Sequence, residues 1–478
     1  MFFSVFTLGC KLNQLETEAV AGSFCREGFS LVPWTPSTNP PGEPAGKPDI
    51  MLVNTCTVTS MAEQKARRII RKALKEQPQA CLIVTGCYAQ MDRAALAALD
   101  GSGRLFVIPG EMKDRLLDLP RYLAQTVSMK KSGNHIATPW YSVSSVVKNY
   151  FESLEPFDTL SEVSGEGAFR FAPETFTSHS RAFLKIQDGC DHRCSFCRVS
   201  LARGANKSLN VEQVLSRLLY LEQRGFAEAV LTGVNISQYR DPQVRGLPGL
   251  LGFLLKGTEK IRLRLSSIEM QCEMQSELGF RDSFAEVVTD QRVRPHFHLS
   301  IQSGSAGILA KMGRAYSPSD IVGFVSRLRR SRDNPFLACD IIAGFPGETE
   351  SDFKETVALC EEIGFAWIHA FHFSPRPGTV AAGLSGKVSE KEKARRVEIL
   401  SGLAYKGRTE YILRWEGREV EAVVEAGGDA GFVPAVSENY LKLKIACADK
   451  PTPAPGSLVR CRILRAEDSR FDAIAEMV

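Results

Sequence analysis

What this chain lacks narrows the field before any motif is read. Its 478 residues contain no apolar run approaching the roughly 18 that a membrane span needs, so no membrane partner is expected. The start, Met-Phe-Phe-Ser-Val-Phe-Thr-Leu-Gly, has neither a basic flank nor a small-residue cleavage site, so no signal peptide is expected there. Charge of one sign is missing too. Lys and Arg number 59 against 55 Asp and Glu, and the net +4 is too small to mark a nucleic-acid binder. Any basic surface has to be local, and no DNA partner is expected. The 13 cysteines are an odd number scattered over a long chain, unlike the framework of a small secreted domain. They point to a reducing, cytoplasmic setting.

What is present is the composition of a globular protein, 44% hydrophobic and 24% charged, at a length that predicts two to three domains. The densest chemistry lies at residues 184–198. Cys190, Cys194 and Cys197 stand there as C-x3-C-x2-C, after an apolar run, Phe183 to Ile186, that predicts a strand. Thiolates are soft ligands that select iron–sulfur clusters, zinc or Cu(I). Three of them can hold three corners of a cubane cluster and leave the fourth iron open. Zinc would take a fourth ligand, for which His192 is nearest. Spacing alone leaves both open.

Apolar runs at Phe2–Leu8, Ile50–Val53, Leu82–Val84 and Leu105–Ile108 predict four strands, each followed by helical spacing, and hence a parallel sheet. Ser60 with Glu63 predicts a capping box for the helix after the second strand. Cys10, Cys56 and Cys87 each fall just past a strand's carboxyl end, on the rim where open parallel sheets bind ligands. Cys25 and Cys81 do not, and packing is expected for both, as for Cys272, Cys339 and Cys360. The helix from Ser60 to Lys75 carries Lys65, Arg67, Arg68, Arg71, Lys72 and Lys75, a face able to attract a polyanion such as RNA. A Pro/Gly-rich insert, Pro33 to Pro48, reads as a loop.

From Ser128 to Thr177 periodicity is lost, but aromatics recur: Trp140, Tyr141, Tyr150, Phe151, Phe157, Phe169 and Phe171. A connector packed across a domain surface, with one strand, is expected. Strand-like runs then recur at Phe183–Ile186, Ala229–Leu231, Leu263–Ile268, His296–Ile301, Phe336–Ile342 and Trp367–Phe373, with helical patterns between them. Six such units predict an incomplete parallel barrel, whose active site belongs at the strands' carboxyl ends. Small and polar clusters stand at those ends: Thr232-Gly233-Val234-Asn235, Ser266-Ser267-Ile268-Glu269, Ser300 to Ser305, Gly344 to Glu348, and Phe373-Ser374-Pro375. Ser317-Pro318 and Thr349 with Asp352 predict helix starts. His296, His298, His369 and His372 are expected in core or lining roles. Beyond Trp415 short alternating runs, Glu419–Val424, Asn439–Ile445 and Ser457–Leu464, predict a small antiparallel β-barrel. The expected class is thus α/β: a parallel-sheet domain over 1–127, a connector over 128–177, a partial (β/α)6 barrel over 178–412 and a small β-barrel over 413–478.

The cysteine loop, with an aromatic before its last cysteine, resembles the radical S-adenosylmethionine (SAM) superfamily. Thr7-Leu8-Gly9-Cys10-Lys11-Leu12-Asn13, Asn54-Thr55-Cys56 and Thr85-Gly86-Cys87-Tyr88 resemble the N-terminal domain of the methylthiotransferases. Leu-Ser-Ser-Ile-Glu, His-Leu-Ser-Ile-Gln-Ser-Gly-Ser, Lys-Met-Gly-Arg-Ala-Tyr, Asp-Ile-Ile-Ala-Gly-Phe-Pro-Gly-Glu-Thr and Ser-Pro-Arg-Pro-Gly-Thr follow in that family's order. The resemblance implies two 4Fe–4S clusters, one on Cys190, Cys194 and Cys197, and one on Cys10, Cys56 and Cys87. It implies SAM contacts from Thr232, Gly233, Glu269, Gln302 and Gly344. It also implies a TRAM-like RNA-binding end domain, with Lys442, Lys444, Arg460 and Arg462 as candidate contacts. In the family mechanism one SAM methylates a sulfur, a second is cleaved reductively to a radical, and a methylthio group is transferred. An electron donor of the flavodoxin or ferredoxin kind is an expected partner. Cys10-Lys-Leu-Asn-Gln-Leu-Glu-Thr looks most like the branch acting on N6-threonylcarbamoyladenosine at position 37 of tRNA. Alternatives are the isopentenyladenosine branch, the branch modifying a ribosomal-protein aspartate, and a non-catalytic RNA binder with structural zinc. Two departures flank the SAM region: Ser300 where the family usually has proline, and Val199-Ser200-Leu201 where it has Ile-Pro-Tyr.

Overall fold

The computed structural model describes residues 1–34, 47–131, 143–154, 167–173, 176, 180–270, 281–428, 431–447, 451–467 and 471–478. The chain divides into two compact units. The first holds Met1–Thr177 with Asp188–Asp191 and Arg198–Ala205; the second holds Ser178–Gln187, His192–Cys197 and Asn206–Val478.

The first unit is built on five strands: Phe2–Thr7 (β1), Ser30–Leu31 (β2), Ile50–Thr55 (β3), Cys81–Gly86 (β4) and Leu105–Val107 (β5). They lie in the order β2-β1-β3-β4-β5, and every pairing is parallel. Strands β3 and β4 are buried along their whole length, as expected of a sheet covered on both faces. The helix Lys11–Arg26 covers one face, where Phe3 stacks on Phe24 at 4.9 Å. The helix Ser60–Glu76 buries Ala66, Ile69, Ile70, Ala73 and Leu74, in one apolar cluster with Met51, Val53, Leu82 and Val84. Its cap is Thr59, whose hydroxyl accepts from the Ala62 N–H at 3.1 Å. Glu63 does not close a capping box with Ser60; its buried carboxylate accepts instead from the Thr57 hydroxyl at 2.5 Å.

The expected strand in the connector is not found among its described residues, which instead form the helix Val143–Ser153. Tyr150 donates to the Arg115 carbonyl at 2.8 Å, and Phe169 and Phe171 are buried. The aromatics therefore serve packing, as expected. Trp140, Tyr141 and Phe157 lie outside the described residues, as do Cys272 and most of the Pro/Gly-rich insert.

In the second unit, Ala182–Lys185 (β6) is followed by the two-residue strands Gln187–Asp188 (β7) and Lys207–Ser208 (β8), and then Glu228–Thr232 (β9), Arg262–Leu265 (β10), His296–Gln302 (β11), Phe336–Ala343 (β12) and Trp367–His372 (β13). Strands β6, β9 and β10 pair in parallel, as do β11, β12 and β13. Parallel bridges Leu263–Val293 and Ile268–Leu299 join the two sets into one six-stranded run, the partial barrel expected. Helices start where the sequence predicts: Ser317 and Thr349 both form capping boxes, with Asp320 and Asp352.

The last strands, Glu419–Val424 (β14), Phe432–Ser437 (β15), Lys442–Ala446 (β16), Leu458–Ala466 (β17) and Ala473–Met477 (β18), close a barrel in the order β14-β15-β16-β18-β17. Four of its pairings are antiparallel, and β16–β18 is parallel. It sits against the amino-terminal ends of β9 and β10 through a buried ionic group. Glu228 takes Arg264 at 2.6 and 2.9 Å and Arg294 at 3.0 Å, with all three side chains fully buried. Arg264 also donates to the Ser437 carbonyl at 3.0 Å, and Arg294 to Glu421 at 2.9 Å. Among the described residues no helix is long and apolar enough to cross a membrane.

Burial alone would raise the Glu228 carboxyl, but Arg264, Arg294 and Arg181 hold it at about 2, below the 4.5 of a free glutamate. Its stabilising effect is therefore complete above about pH 4.5 and is lost as pH falls through about 2. Glu228→Gln leaves two arginines buried without their shared carboxylate, at a cost of about 3–5 kcal/mol. The urea midpoint of the variant is expected to drop, and its stability to change less than wild type between pH 4.5 and 2. Equal midpoints would mean that the group is not ionised as described.

Candidate active site

The three cysteines of the first unit sit where β1, β3 and β4 end. A polar web ties those ends together. Asn13 donates to the Leu8 carbonyl at 2.8 Å and to the Thr55 carbonyl at 3.2 Å. Asn54 donates to the Asn13 carbonyl at 3.0 Å, and Thr55 to the Thr85 carbonyl at 2.6 Å. Asn13 and Thr55 thus bond the ends of β3 and β4, and Asn54 bonds the helix after β1. Gly9 and Gly86, which precede Cys10 and Cys87, adopt φ of +109° and +100°. A side chain on Gly9 would lie 2.9 Å from Cys56 Cβ, and one on Gly86 would lie 2.3 Å from the Thr55 carbonyl oxygen. Only glycine permits both the turn and the approach.

Cys10 is exposed, Cys87 half-buried and Cys56 buried. Burial pushes the Cys56 thiol up to about 12; the Val58 N–H works against this, and the thiols of Cys10 and Cys87 close by add to it. The three cysteines follow the carboxyl ends of adjacent parallel strands, β1, β3 and β4. Cys81, Cys339 and Cys360 are buried, as packing residues should be. Cys25 is exposed on its helix, contrary to the packing role expected of it.

In the second unit the predicted SAM contacts follow the carboxyl ends of successive strands. Thr232 ends β9, buried, and its carbonyl accepts from the Ile186 N–H at 3.0 Å. Gly233 lies so close to Gln187 that a side chain would fall 2.7 Å from Oε1. Gln302 ends β11 with a positive φ of 67°, unusual for a residue with a side chain. Gly344 follows β12, and its N–H donates to Glu348 at 2.6 Å. Glu269 is buried between Arg314 and His192, whose Nε2 lies 3.0 Å from its Oε2. Burial would raise this carboxyl, but His192 and Arg314 hold it at about 2. His192, the nearest candidate for a fourth zinc ligand, is thus engaged with Glu269.

The departure at Ser300 has a physical consequence. Its N–H donates to the Ile268 carbonyl at 3.0 Å, across the junction of the two strand sets, a bond that proline could not make. His298 has the lining role expected of it, and its partners are what the sequence did not show. His298 takes Ser267 at 2.9 Å and Asp340 at 3.0 Å, and its ring lies 5.0 Å from that of His369. Phe297, one residue earlier, faces the helices, against Phe284. Alternation along β11 was the available signal for the lining role of His298.

Comparisons with known proteins agree with the motifs. The family model described as Uncharacterized protein family UPF0004 matches residues 3–107, and that described as Radical SAM superfamily matches residues 184–360. The chain is 39% identical to the threonylcarbamoyladenosine tRNA methylthiotransferase MtaB of Treponema pallidum (strain Nichols), over 96% of this chain and 97% of that protein. It is 32% identical to the protein of the same name from Aquifex aeolicus (strain VF5), over 92% and 95%. The chain belongs to the MtaB-like methylthiotransferase family. A relative outside that branch, the tRNA-2-methylthio-N(6)-dimethylallyladenosine synthase of Anaplasma phagocytophilum (strain HZ), is also 32% identical, over 79% of this chain and 78% of that protein.

The family's clusters can be tested against the donor sets present. Each set offers three thiols. A lone zinc needs its ligands within about 2.0–2.3 Å of one point, whereas cubane ligands bind three different irons and stand further apart. With His192 facing Glu269, the C-x3-C-x2-C trio offers three soft donors, a set that fits three irons of a cubane. Anaerobic reconstitution is expected to load about eight irons per chain, and about four when Cys10, Cys56 or Cys87, or alternatively Cys190, Cys194 or Cys197, is replaced by alanine. Finding about one zinc per cysteine trio and no iron would reject this assignment.

Proposed function

We propose that this chain adds a 2-methylthio group to N6-threonylcarbamoyladenosine at position 37 of tRNA, using two 4Fe–4S clusters and SAM. The observation that carries this is the full-length similarity to MtaB enzymes, together with the two cysteine trios. When bound, the clusters and SAM supply the reductive cleavage and the sulfur transfer. The chain's own residues hold and shield them. Cys190, Cys194 and Cys197 hold the SAM-cleaving cluster, and Cys10, Cys56 and Cys87 hold the second. Thr232, Gly233, Glu269, Gln302 and Gly344 line the rim that receives SAM. Glu269, kept ionised between Arg314 and His192, offers a carboxylate to a cationic group. A one-electron donor of the flavodoxin or ferredoxin kind serves the first cluster, and the reaction takes place in the cytoplasm.

The inner face of the partial barrel supports the branch. Ser267, His298, Asp340 and exposed His369 form a polar lining. A threonylcarbamoyl substituent, with hydroxyl, ureido and carboxylate groups, suits that lining better than an isopentenyl group, which would strand those polar atoms. Mass spectrometry of tRNA nucleosides from cells lacking this chain is expected to show 2-methylthio-threonylcarbamoyladenosine gone and its precursor retained. Persistence of that nucleoside at normal level would exclude the assignment; loss of the isopentenyl counterpart instead would move the chain to the other branch.

The basic helix is a local surface of the kind the net charge could not reveal. Lys65, Arg68, Arg71 and Lys75 are exposed on Ser60–Glu76 and have no ion-pair partner among the described residues. Arg67 bonds Tyr88, and Lys72 pairs with Glu76 at 3.3 Å. We assign the four unpaired cations to tRNA phosphates. Changing each to glutamine is expected to weaken tRNA binding and to lower the salt slope by about one unit for every phosphate that is no longer neutralised, with iron content unchanged. A slope equal to wild type in the fourfold variant would remove this face from the interface.

A further inference from the structure

Residues 198–205 follow the last cysteine of the C-x3-C-x2-C loop, yet they belong to the first unit. An arginine at each end of the short helix Val199–Arg203 holds them there. Arg198 is 4% exposed and reaches Glu63 and Asp92, both at 3.2 Å. Arg203 is 5% exposed, and both of its terminal nitrogens are engaged. Nη1 donates to Glu16 at 2.9 Å and to Asp188 at 3.1 Å; Nη2 donates to Asn13 at 2.9 Å and to Glu16 at 3.3 Å. Its remaining donor, Nε, points at Cys87 Sγ, 3.3 Å away. Lys113 also pairs with Glu16, so two cations face two carboxylates around this point. Ion pairing alone therefore does not call for a bond to sulfur. A buried guanidinium is a permanent charge, and a thiolate is a far better acceptor for it than a neutral thiol. Asn13, three residues after Cys10, binds the same guanidinium, so Arg203 touches the surroundings of two of the three cysteines.

We propose that Arg203 is a positioning residue for the centre on Cys10, Cys56 and Cys87. It orients the Cys87 sulfur toward the shared rim and raises the reduction potential of the cluster held there through its N–H···S bond. Hydrogen bonds to ligand sulfurs are one of the levers that set such potentials. Arg198, bonded to Glu63, to Asp92 and at 3.5 Å to Thr57, donates to no cysteine sulfur among the described residues and anchors the other end of the helix. The inference rests on the reading that this trio holds a cluster.

The test uses the full chain carrying Cys190→Ala, Cys194→Ala and Cys197→Ala, so that only the second centre can load. Into it go Arg203→Lys, Arg203→Gln and, as a control, Arg198→Lys. Iron content, the electron paramagnetic resonance spectrum of the reduced state, the midpoint potential and the apoprotein's melting temperature are measured for each. We expect about four irons in the parent. We expect an altered spectrum and a more negative potential in both Arg203 variants, with lysine, which keeps the charge but not the fork, between glutamine and wild type. Arg198→Lys should lower the melting temperature without moving the potential. If the Arg203 variants behave as the Arg198 control does, Arg203 is an anchor and the proposal is wrong. A parent that takes up no iron sinks the cluster reading, and this inference with it.

Discussion

Parallel strands end on the same side of their sheet, and that constraint organises both sites in this protein. Cys10, Cys56 and Cys87 are separated by dozens of residues, yet β1, β3 and β4 finish side by side and deliver them to one rim. The web of Asn13, Asn54 and Thr55 makes the delivery firm, because Asn13 and Thr55 bond the backbone at the ends of β3 and β4, and Asn54 bonds the helix that follows β1. The same geometry sets Thr232, Gln302 and Gly344 at successive strand ends of the partial barrel. A sheet with one antiparallel strand inserted would send a ligand to the opposite edge.

The opposite end of the partial barrel is closed by charge rather than by hydrocarbon. Glu228, Arg264 and Arg294 are fully buried, which is costly unless each is paired and hydrogen-bonded. The pairing is supplied partly by the C-terminal barrel, through Glu421 and the Ser437 carbonyl. The two barrels within this unit are thus electrostatically interdependent. A hydrophobic plug would be indifferent to which domain covered it; these arginines accept only a partner with carbonyls and carboxylates at the right places. Burying the ions thus makes the docking selective, at some expense in stability.

Much of this was legible in the sequence, for identifiable reasons. Strands β3 and β4 announce themselves as short, mainly apolar runs, because both of their faces are covered. The Ser317 and Thr349 caps are local, so local sequence suffices. What failed depended on distant partners. Glu63 has the spacing of a capping box with Ser60, but Thr57 and Arg198 engage it instead, and no local pattern reports that. The closure of the last barrel needed β15 and β18, of which β15 contains a proline and β18, Ala-Ile-Ala-Glu-Met, has a single polar residue, so neither carries a clear alternating signal. Cys25 reads as a buried small residue by helix position, yet its face is exposed. Arg203 is one arginine among many on paper, and only the fold shows that its remaining donor points at a cysteine.

Within the first unit, Cys190 and Cys87 are linked through the segment 198–205. Cys190 donates its backbone N–H to the Gly204 carbonyl at 3.1 Å, and Gly204 directly follows Arg203, which touches Cys87. One residue of each trio is therefore connected to the other by two hydrogen bonds and a single peptide link, all within the first unit. The neighbouring Gly189 has room for no side chain, since one would lie 1.9 Å from the Ala205 carbonyl oxygen. The segment after the C-x3-C-x2-C motif is thus not a neutral exit from the loop. It ties the backbone of Cys190 to the side chain that bonds Cys87, while Arg198 anchors the start of the helix at Glu63 and Asp92.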